Sequence, residues 1–368
     1  ETERRERLAD IESAFNQSVN DPDYARKLYL IEHCIYGVDI QPIATQISKL
    51  RFFISLVVDQ RPTDDATHNF GIRPLPNLEA KFVSANTLIP VEYDSCLVDS
   101  APDVIKYKEL LKELNHKIFL ARRNIDKQNL KKQIKETRKA LADAIEETGF
   151  VSHGAAQQLA DWDMFDQNTS SSFFDPEWMF GVKGGFDIVI ANPPYGYIFK
   201  KEDFLPQLLK KYIVAEYKVE AYSIFIERAI KLLKKNGILN YITPYTYISG
   251  VYFSKLRQFL SKLDVKKMLL LGKKIFEAAE VDTSILFICN NKNEFVNDIL
   301  LADLRETKIE QRFENVCFFK TQRKRFFCKF KEVLFVVPNE QIDLYLKMYA
   351  GKCIELTDVI DFYHGIQT

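Results

Sequence analysis

Asn192-Pro193-Pro194-Tyr195 is where residue types and spacing in this 368-residue chain point most directly to chemistry. The Asn192 side-chain oxygen and the Pro193 backbone carbonyl are both hydrogen-bond acceptors. Together they can take the two hydrogens of an exocyclic NH2 group, draw its nitrogen out of conjugation and direct a lone pair at an electrophile. Tyr195 adds a flat face on which a heterocycle can stack. Pro193 and Pro194 fix the backbone, so little ordering is left for the moment of reaction. The plainer reading of the same four residues is a proline turn.

The element in front of them argues for chemistry. Ile188 to Ala191 is a short apolar, β-branched run, expected to be a strand buried on both faces. Two prolines then end any ladder. In an open α/β sheet, ligands bind outside the carboxyl ends of the strands. A second acid sits in a similar place. Cys34 to Ile40 reads as a strand ending in Asp39-Ile40, and Gln41-Pro42 opens an amphipathic helix to about Val58. An acid at the end of a second strand is how nucleotide-binding sheets hold a ribose diol; alternatively Asp39 only caps the helix. Lys81 to Leu88 reads as a third strand, with Asn86 near its end either polar toward a ligand or a turn former.

Asn192-Pro193-Pro194-Tyr195 resembles motif IV of the S-adenosylmethionine-dependent amino-methyltransferases. The likeness is strongest to gamma-class adenine-N(6) DNA methyltransferases, in particular the large fused type IIG restriction–modification enzymes. In that resemblance Gly37-Val38-Asp39-Ile40 is similar to motif II, in which the acid binds the cofactor ribose and the next apolar residue packs on its adenine. Asn86 matches the polar residue of motif III. Leu271 to Ser284 resembles motif VIII, where Phe276 takes the place of the aromatic that faces Tyr195 across a flipped base. An extrahelical adenine held between the two rings would offset an unstacking cost of about a few kcal/mol; a core Phe is the plainer alternative. The resemblance implies methyl transfer to an adenine amine in double-stranded DNA, with no metal and no covalent enzyme intermediate. Motif IV alone leaves a protein glutamine-N methyltransferase open, as it does a catalytically inert binding fragment.

The rest of the chain must position these residues. The implied fold is α/β, a three-layer sandwich around a Rossmann-like methyltransferase sheet, mostly parallel with one antiparallel strand. Residues 1–34 read as a helical lead-in and 35–290 as the catalytic core. A long charged helical hairpin is inserted over about 104–148, with Leu110, Leu111, Leu114, Ile118 and Phe119 on its apolar face and a bend near Asn124-Ile125-Asp126. Residues 149–185 read as loop packed down by Trp162, Phe165, Phe173, Phe174, Trp178, Met179 and Phe180. After motif IV come a helix from Ala221 to Lys235, closed by Asn236-Gly237, and a strand over 238–244. A helix follows over 253–263, then strands over 265–271 and 284–289. Residues 291–368 read as a connector and the opening of a target-recognition domain.

Composition narrows the partners. Lys and Arg total 51 and so do Asp and Glu, so any nucleic-acid footprint must be local. Lys200 and Lys201 follow motif IV, and Arg323-Lys324-Arg325 lies in a basic run interleaved with aromatics; both are candidates for the DNA backbone, or are ordinary solvated surface. Six cysteines without metal spacing and five scattered histidines indicate no metal site and a reduced, cytoplasmic setting. No apolar run approaches the roughly 18 residues of a membrane span. The glycine-rich turn of motif I and any nuclease motif are not identifiable in these residues. The chain is therefore expected to be the core of a longer enzyme, with weak or absent S-adenosylmethionine binding by itself.

Overall fold

The computed structural model describes residues 22–60, 62, 64–72, 75–91, 98, 100–121, 123–196, 205–215, 220–273, 275–276, 281–291, 295, 297–307, 313–314, 316–327, 334, 336, 338 and 340–342. The chain divides into two compact units, Glu1–Gly184 and Gly185–Thr368.

The first unit begins with α1 (Pro22–His33), β1 (Gly37–Asp39) and α2 (Pro42–Val58). Proline opens α2, where the missing N–H costs nothing. β2 (Phe82–Ser84) pairs with β1 in parallel, Val38 opposite Val83. Gly37 is required in that pairing, because a Cβ there would lie 2.4 Å from the Phe82 ring. Tyr24, Ile31, Leu56, Leu78, Phe82 and Phe119 form the core beneath.

The helical hairpin is α3 (Pro102–Leu120) against α4 (Asn124–Glu147). Leu111, Leu114 and Ile118 of one and Ile134, Leu141 and Ile145 of the other are buried. The bend comes a little earlier than the sequence suggested, at Ala121, where the Asn77 amide donates to the carbonyls of Ile118 and Ala121. Two further helices, α5 (His153–Asp161) and α6 (Pro176–Phe180), occupy the stretch expected to be loop. Each starts at a side-chain cap: Ser152 accepts from the Ala155 N–H and Asp175 from that of Trp178. The expected aromatic packing is present, with Phe173, Phe174, Trp178, Met179 and Phe180 buried. Arg138 reaches in from α4, donating to the Trp178 carbonyl and lying 4.4 Å from the Trp162 ring; its burial pulls its pKa down to about 9.

The second unit contains β3 (Phe186–Ala191), α7 (Leu205–Lys211), α8 (Ala221–Leu232), β4 (Leu233–Pro244), α9 (Ser254–Leu260), β5 (Asp264–Gly272), β6 (Thr283–Cys289), β7 (Asp298–Asp303), β8 (Phe319–Gln322) and α10 (Arg323–Phe326). Its sheet has the order β3-β4-β6-β5-β7-β8. The pairs β3–β4 and β5–β7 are parallel, and β6 runs antiparallel to both of its neighbours. Hence β3, β4, β5 and β7 share one direction. The expected single antiparallel strand is β6, and β8 adds a second at the far edge. Residues 298–322, assigned from sequence to a connector, thus supply two strands of the sheet that carries Asn192.

Two local differences have clear causes. The helix before β4 stops at Leu232, three residues before the sequence placed its end, because Leu233 already pairs with Phe186. Asn236, at a positive φ of 65°, lies inside β4 instead of capping the helix, and the β3–β4 register shifts there. The Asn290 amide caps the helix from a distance, donating to the carbonyls of Ile230, Leu233 and Lys234. The second difference is β3. Among the described residues it pairs only with β4, at the sheet edge, and Ile188 and Ile190, on one face, are 57% and 73% exposed, so the strand is not buried on both faces. No described helix is long and apolar enough to cross a membrane.

Candidate active site

β3 ends at Ala191, paired with Tyr241, and hands the chain directly to Asn192. Asn192 is exposed, Pro193 buried, Pro194 exposed and Tyr195 half-buried. Among the described residues neither the Asn192 side chain nor the Pro193 carbonyl has a hydrogen-bond partner. The exposed Asn192 oxygen is thus open to a donor from outside the chain. The Tyr195 hydroxyl lies 3.5 Å from the Ile242 carbonyl on β4, and partial burial raises its pKa to about 12. The phenol is therefore neutral at ordinary pH and its ring is tethered to the neighbouring strand.

The residue after the motif is held at both ends. Gly196 has φ +82°, a conformation that favours glycine. Its N–H donates to Glu220 Oε2 at 3.0 Å, and its carbonyl accepts from the Ala221 N–H at 3.1 Å. Sequence reading did not single out Glu220; its position just ahead of α8 was the only available signal.

Because β3, β4, β5 and β7 point the same way, the residues that follow them gather on one edge of the sheet. Phe276, four residues past the end of β5, is half-buried. Beyond β7, Arg305 is gripped by Asp303 through Nε–Oδ1 at 2.8 Å and Nη2–Oδ2 at 2.5 Å, and lies over the Tyr245 ring. The pair draws the Asp303 carboxyl below its ordinary range, chiefly through the side-chain hydrogen bond.

In the first unit, Asp39 and Asn86 come together at the ends of neighbouring parallel strands, joined by the Ala85 N–H to the Asp39 carbonyl. Asp39 is exposed. Its Oδ1 accepts from the Gln41 N–H at 2.8 Å, a turn contact just ahead of α2, which has no side-chain cap, while Oδ2 has no hydrogen-bond partner among the described residues. Ile40 is 57% exposed beside it. Asn86 Oδ1 accepts from the Leu88 N–H, a turn-forming contact that leaves the NH2 end without a described partner. A separate cavity of about 500 Å³ lies between α2, β2 and α5, lined in part by Lys49, Gln158 and Asp163, and contains none of the candidate site residues.

The basic candidates divide. Lys200 and Lys201 lie outside the described residues. Arg323 is half-buried, donates to the carbonyls of Ser261 and Leu263 and faces the Phe295 and Phe327 rings, so its guanidinium is committed to holding α10 against the sheet. Lys324 is exposed and Arg325 half-buried beside it. Among the described residues no three His, Cys, Asp or Glu side chains converge.

Comparison with known proteins identifies a family and several relatives. The family described as Eco57I restriction-modification methylase matches residues 33–276. A Methanocaldococcus jannaschii protein named as a type II restriction enzyme and methyltransferase is 24% identical over 352 residues, covering 81% of this chain and 29% of that protein. The Escherichia coli type II restriction enzyme and methyltransferase RM.Eco57I is 34% identical over 114 residues, 29% of this chain and 11% of its own length. The chain thus spans less than a third of either relative. Among solved structures, the type IIG restriction endonuclease BpuSI aligns with 15% identity and a TM-score of 0.33, over 62% of this chain and 32% of that one.

Proposed function

Since the chain belongs to the Eco57I restriction-modification methylase family, we propose that the carboxyl edge of its second sheet methylates the amino nitrogen of an adenine in double-stranded DNA. The observation that carries this reading is the pair of unpartnered acceptors, Asn192 Oδ1 and the Pro193 carbonyl, beside the tethered Tyr195 ring. The amine of a flipped adenine donates to both, which localises its lone pair on the nitrogen. Tyr195 stacks on one face of the ring and Phe276 on the other, replacing the stacking lost from the duplex.

S-adenosylmethionine fits the residues at the end of β1. The partnerless oxygen of Asp39 suits a ribose diol, and the exposed Ile40 side chain suits the face of a purine. Asp39, Ile40 and Asn86 would hold its adenosine end. When bound, it supplies an electrophilic methyl group. The 368-residue chain has no glycine-rich turn recognisable as motif I, and weak binding follows from that: isothermal calorimetry should give no micromolar affinity. Lys324 and Arg325 serve the DNA backbone in this reading, and the wider enzyme is a fused restriction–modification protein acting in the cytoplasm.

The test is transfer of a labelled methyl group by the longer enzyme to duplex DNA and to protein acceptors side by side. Label in adenine supports the reading. Label confined to a glutamine side chain replaces it with protein methylation, and label in neither removes it.

A further inference from the structure

Asn192 and Tyr195 can orient an amine only if the backbone between and after them is stationary. Proline fixes the first half of that stretch. The second half is held by neither proline nor sheet pairing, since β3 ends at Ala191. What holds it is the start of α8. Gly196, next to Tyr195, has its N–H taken by the Glu220 carboxylate and its carbonyl by the Ala221 N–H. The two bonds form a clamp on one peptide unit either side of a left-handed glycine.

The clamp rests on a firm base. Ser223 Oγ donates to the Glu220 carbonyl, tying that residue to the first turn of α8. α8 is itself fully embedded: Ala221, Tyr222, Ser223 and Ile224 are all buried, and the Tyr222 hydroxyl pairs with Thr246 just beyond β4. Glu220 therefore connects the interior of the second unit to Gly196, the residue next to Tyr195.

We propose that Glu220 is a positioning residue for methyl transfer: its carboxylate holds the Gly196 N–H and thereby sets the angle at which Tyr195 presents its ring and Asn192 its oxygen to the target amine. This rests on the amine-methylation reading of the site. Glu220 touches neither substrate nor cofactor; it acts through the Gly196 backbone. The specific requirement is reach and an acceptor atom, not charge. Glutamine offers an acceptor oxygen at the same distance from the backbone. Aspartate keeps the charge but falls one methylene short.

The experiment compares Glu220→Gln and Glu220→Asp in the full-length enzyme, with kcat and the KM for S-adenosylmethionine measured separately. A second readout is the fluorescence of 2-aminopurine placed at the target adenine, which reports how the extruded base stacks. Glu220→Gln should keep kcat within about threefold, whereas Glu220→Asp should lose tenfold or more, since displacement of positioning groups by about 1 Å costs up to about a hundredfold. The KM for S-adenosylmethionine should be unchanged in both, and only the aspartate variant should show an altered 2-aminopurine signal. Equal activity of the two variants, or an aspartate variant more active than the glutamine one, overturns the proposal. So does an equal fall in thermal stability of both with activity following stability, which would make Glu220 a folding residue alone. A wild-type enzyme that methylates no amine sinks the underlying reading and the proposal with it; an active wild type with indistinguishable variants sinks only the role of Glu220.

Discussion

α2 and α8 look alike as sequence: each is an amphipathic helix adjoining a strand that carries a candidate site. In the structure they differ sharply. α8 is buried almost all round, including Ser223, Glu227 and Arg228; Glu227 accepts from the Val214 N–H and forms an ion pair with the Lys231 ammonium. α2 leaves Ile43, Ile47, Leu50, Ile54 and Val57 exposed along one side, at i, i+4, i+7, i+11 and i+14. The strands repeat the contrast. β5, flanked by β6 and β7, buries Met268, Leu269, Leu270 and Leu271, while β3, an equally apolar run at the edge, exposes Ile188 and Ile190. Periodicity tells which side chains form a face; only the arrangement of other elements tells whether that face is covered. Among the described residues, α2, next to Asp39, and β3, which leads into Asn192, each have exposed apolar residues on one face, and exposed apolar stripes of this kind mark surfaces that meet something else.

The contrast can be tested from the packed side first. Tyr222 is fully buried, stacked on Phe253 and hydrogen-bonded to Thr246. Tyr222→Ala should cost about 3–5 kcal/mol, the range for removing a large buried aromatic, as read from urea denaturation followed by tryptophan or far-UV signals. A loss below about 1 kcal/mol would mean that α8 is no better embedded than α2, and the comparison would collapse.

Next in size is the site itself. Asn192→Ala removes one of two acceptors without touching a packed residue, because Asn192 is exposed. In the full-length enzyme kcat should fall by about 10²–10³-fold, as for loss of one preorganised electrostatic partner, with melting temperature unchanged. Retained activity would separate the methylation chemistry from this loop. Smaller still is the distant cap on α8. Asn290→Ala leaves the carbonyls of Ile230, Leu233 and Lys234 without their shared donor. The expected loss is about 1–2 kcal/mol, in stability and not in the KM for S-adenosylmethionine.

These residues also mark how far sequence carries. The bounds of β5 and β6 fall within one residue of expectation, and α2 ends at Val58 as its periodicity implied. Strong apolar runs and a proline start are local signals, and local signals survive. The last two strands of the sheet were not legible: β7 and β8 pair with partners whose sequence does not announce them. Two short helices at 153–161 and 176–180 are hard to read because only single capping residues, Ser152 and Asp175, mark their starts and their aromatic surroundings carry no helical period. At the site, Asn192, Tyr195 and Asp39 could be named from motif and strand end. Glu220 and Asn290 could not, since each acts across 24 or more residues through backbone atoms that have no sequence signature. Arg323 is a further case: within the basic run its guanidinium donates to the carbonyls of Ser261 and Leu263, a tertiary role that the sequence does not announce.

The smallest expected effect is the most telling for the comparison. Ile47 sits mid-helix in α2, 52% exposed and flanked by the exposed Ile43 and Leu50. In a well-packed helix, replacing such a residue by serine would remove apolar contacts worth about 1.5–3 kcal/mol on full burial. Here few contacts exist to lose. Serine costs a few tenths of a kcal/mol in helix propensity relative to the best formers, and isoleucine itself is a middling one. Ile47→Ser in the 368-residue chain should therefore change stability by no more than about 0.5 kcal/mol, and should raise solubility by breaking the apolar stripe. A loss comparable to that of Tyr222→Ala would show that this face is already covered in solution, by self-association if it grows with protein concentration. α2 and α8 would then differ in what covers them, and no longer in whether they are covered.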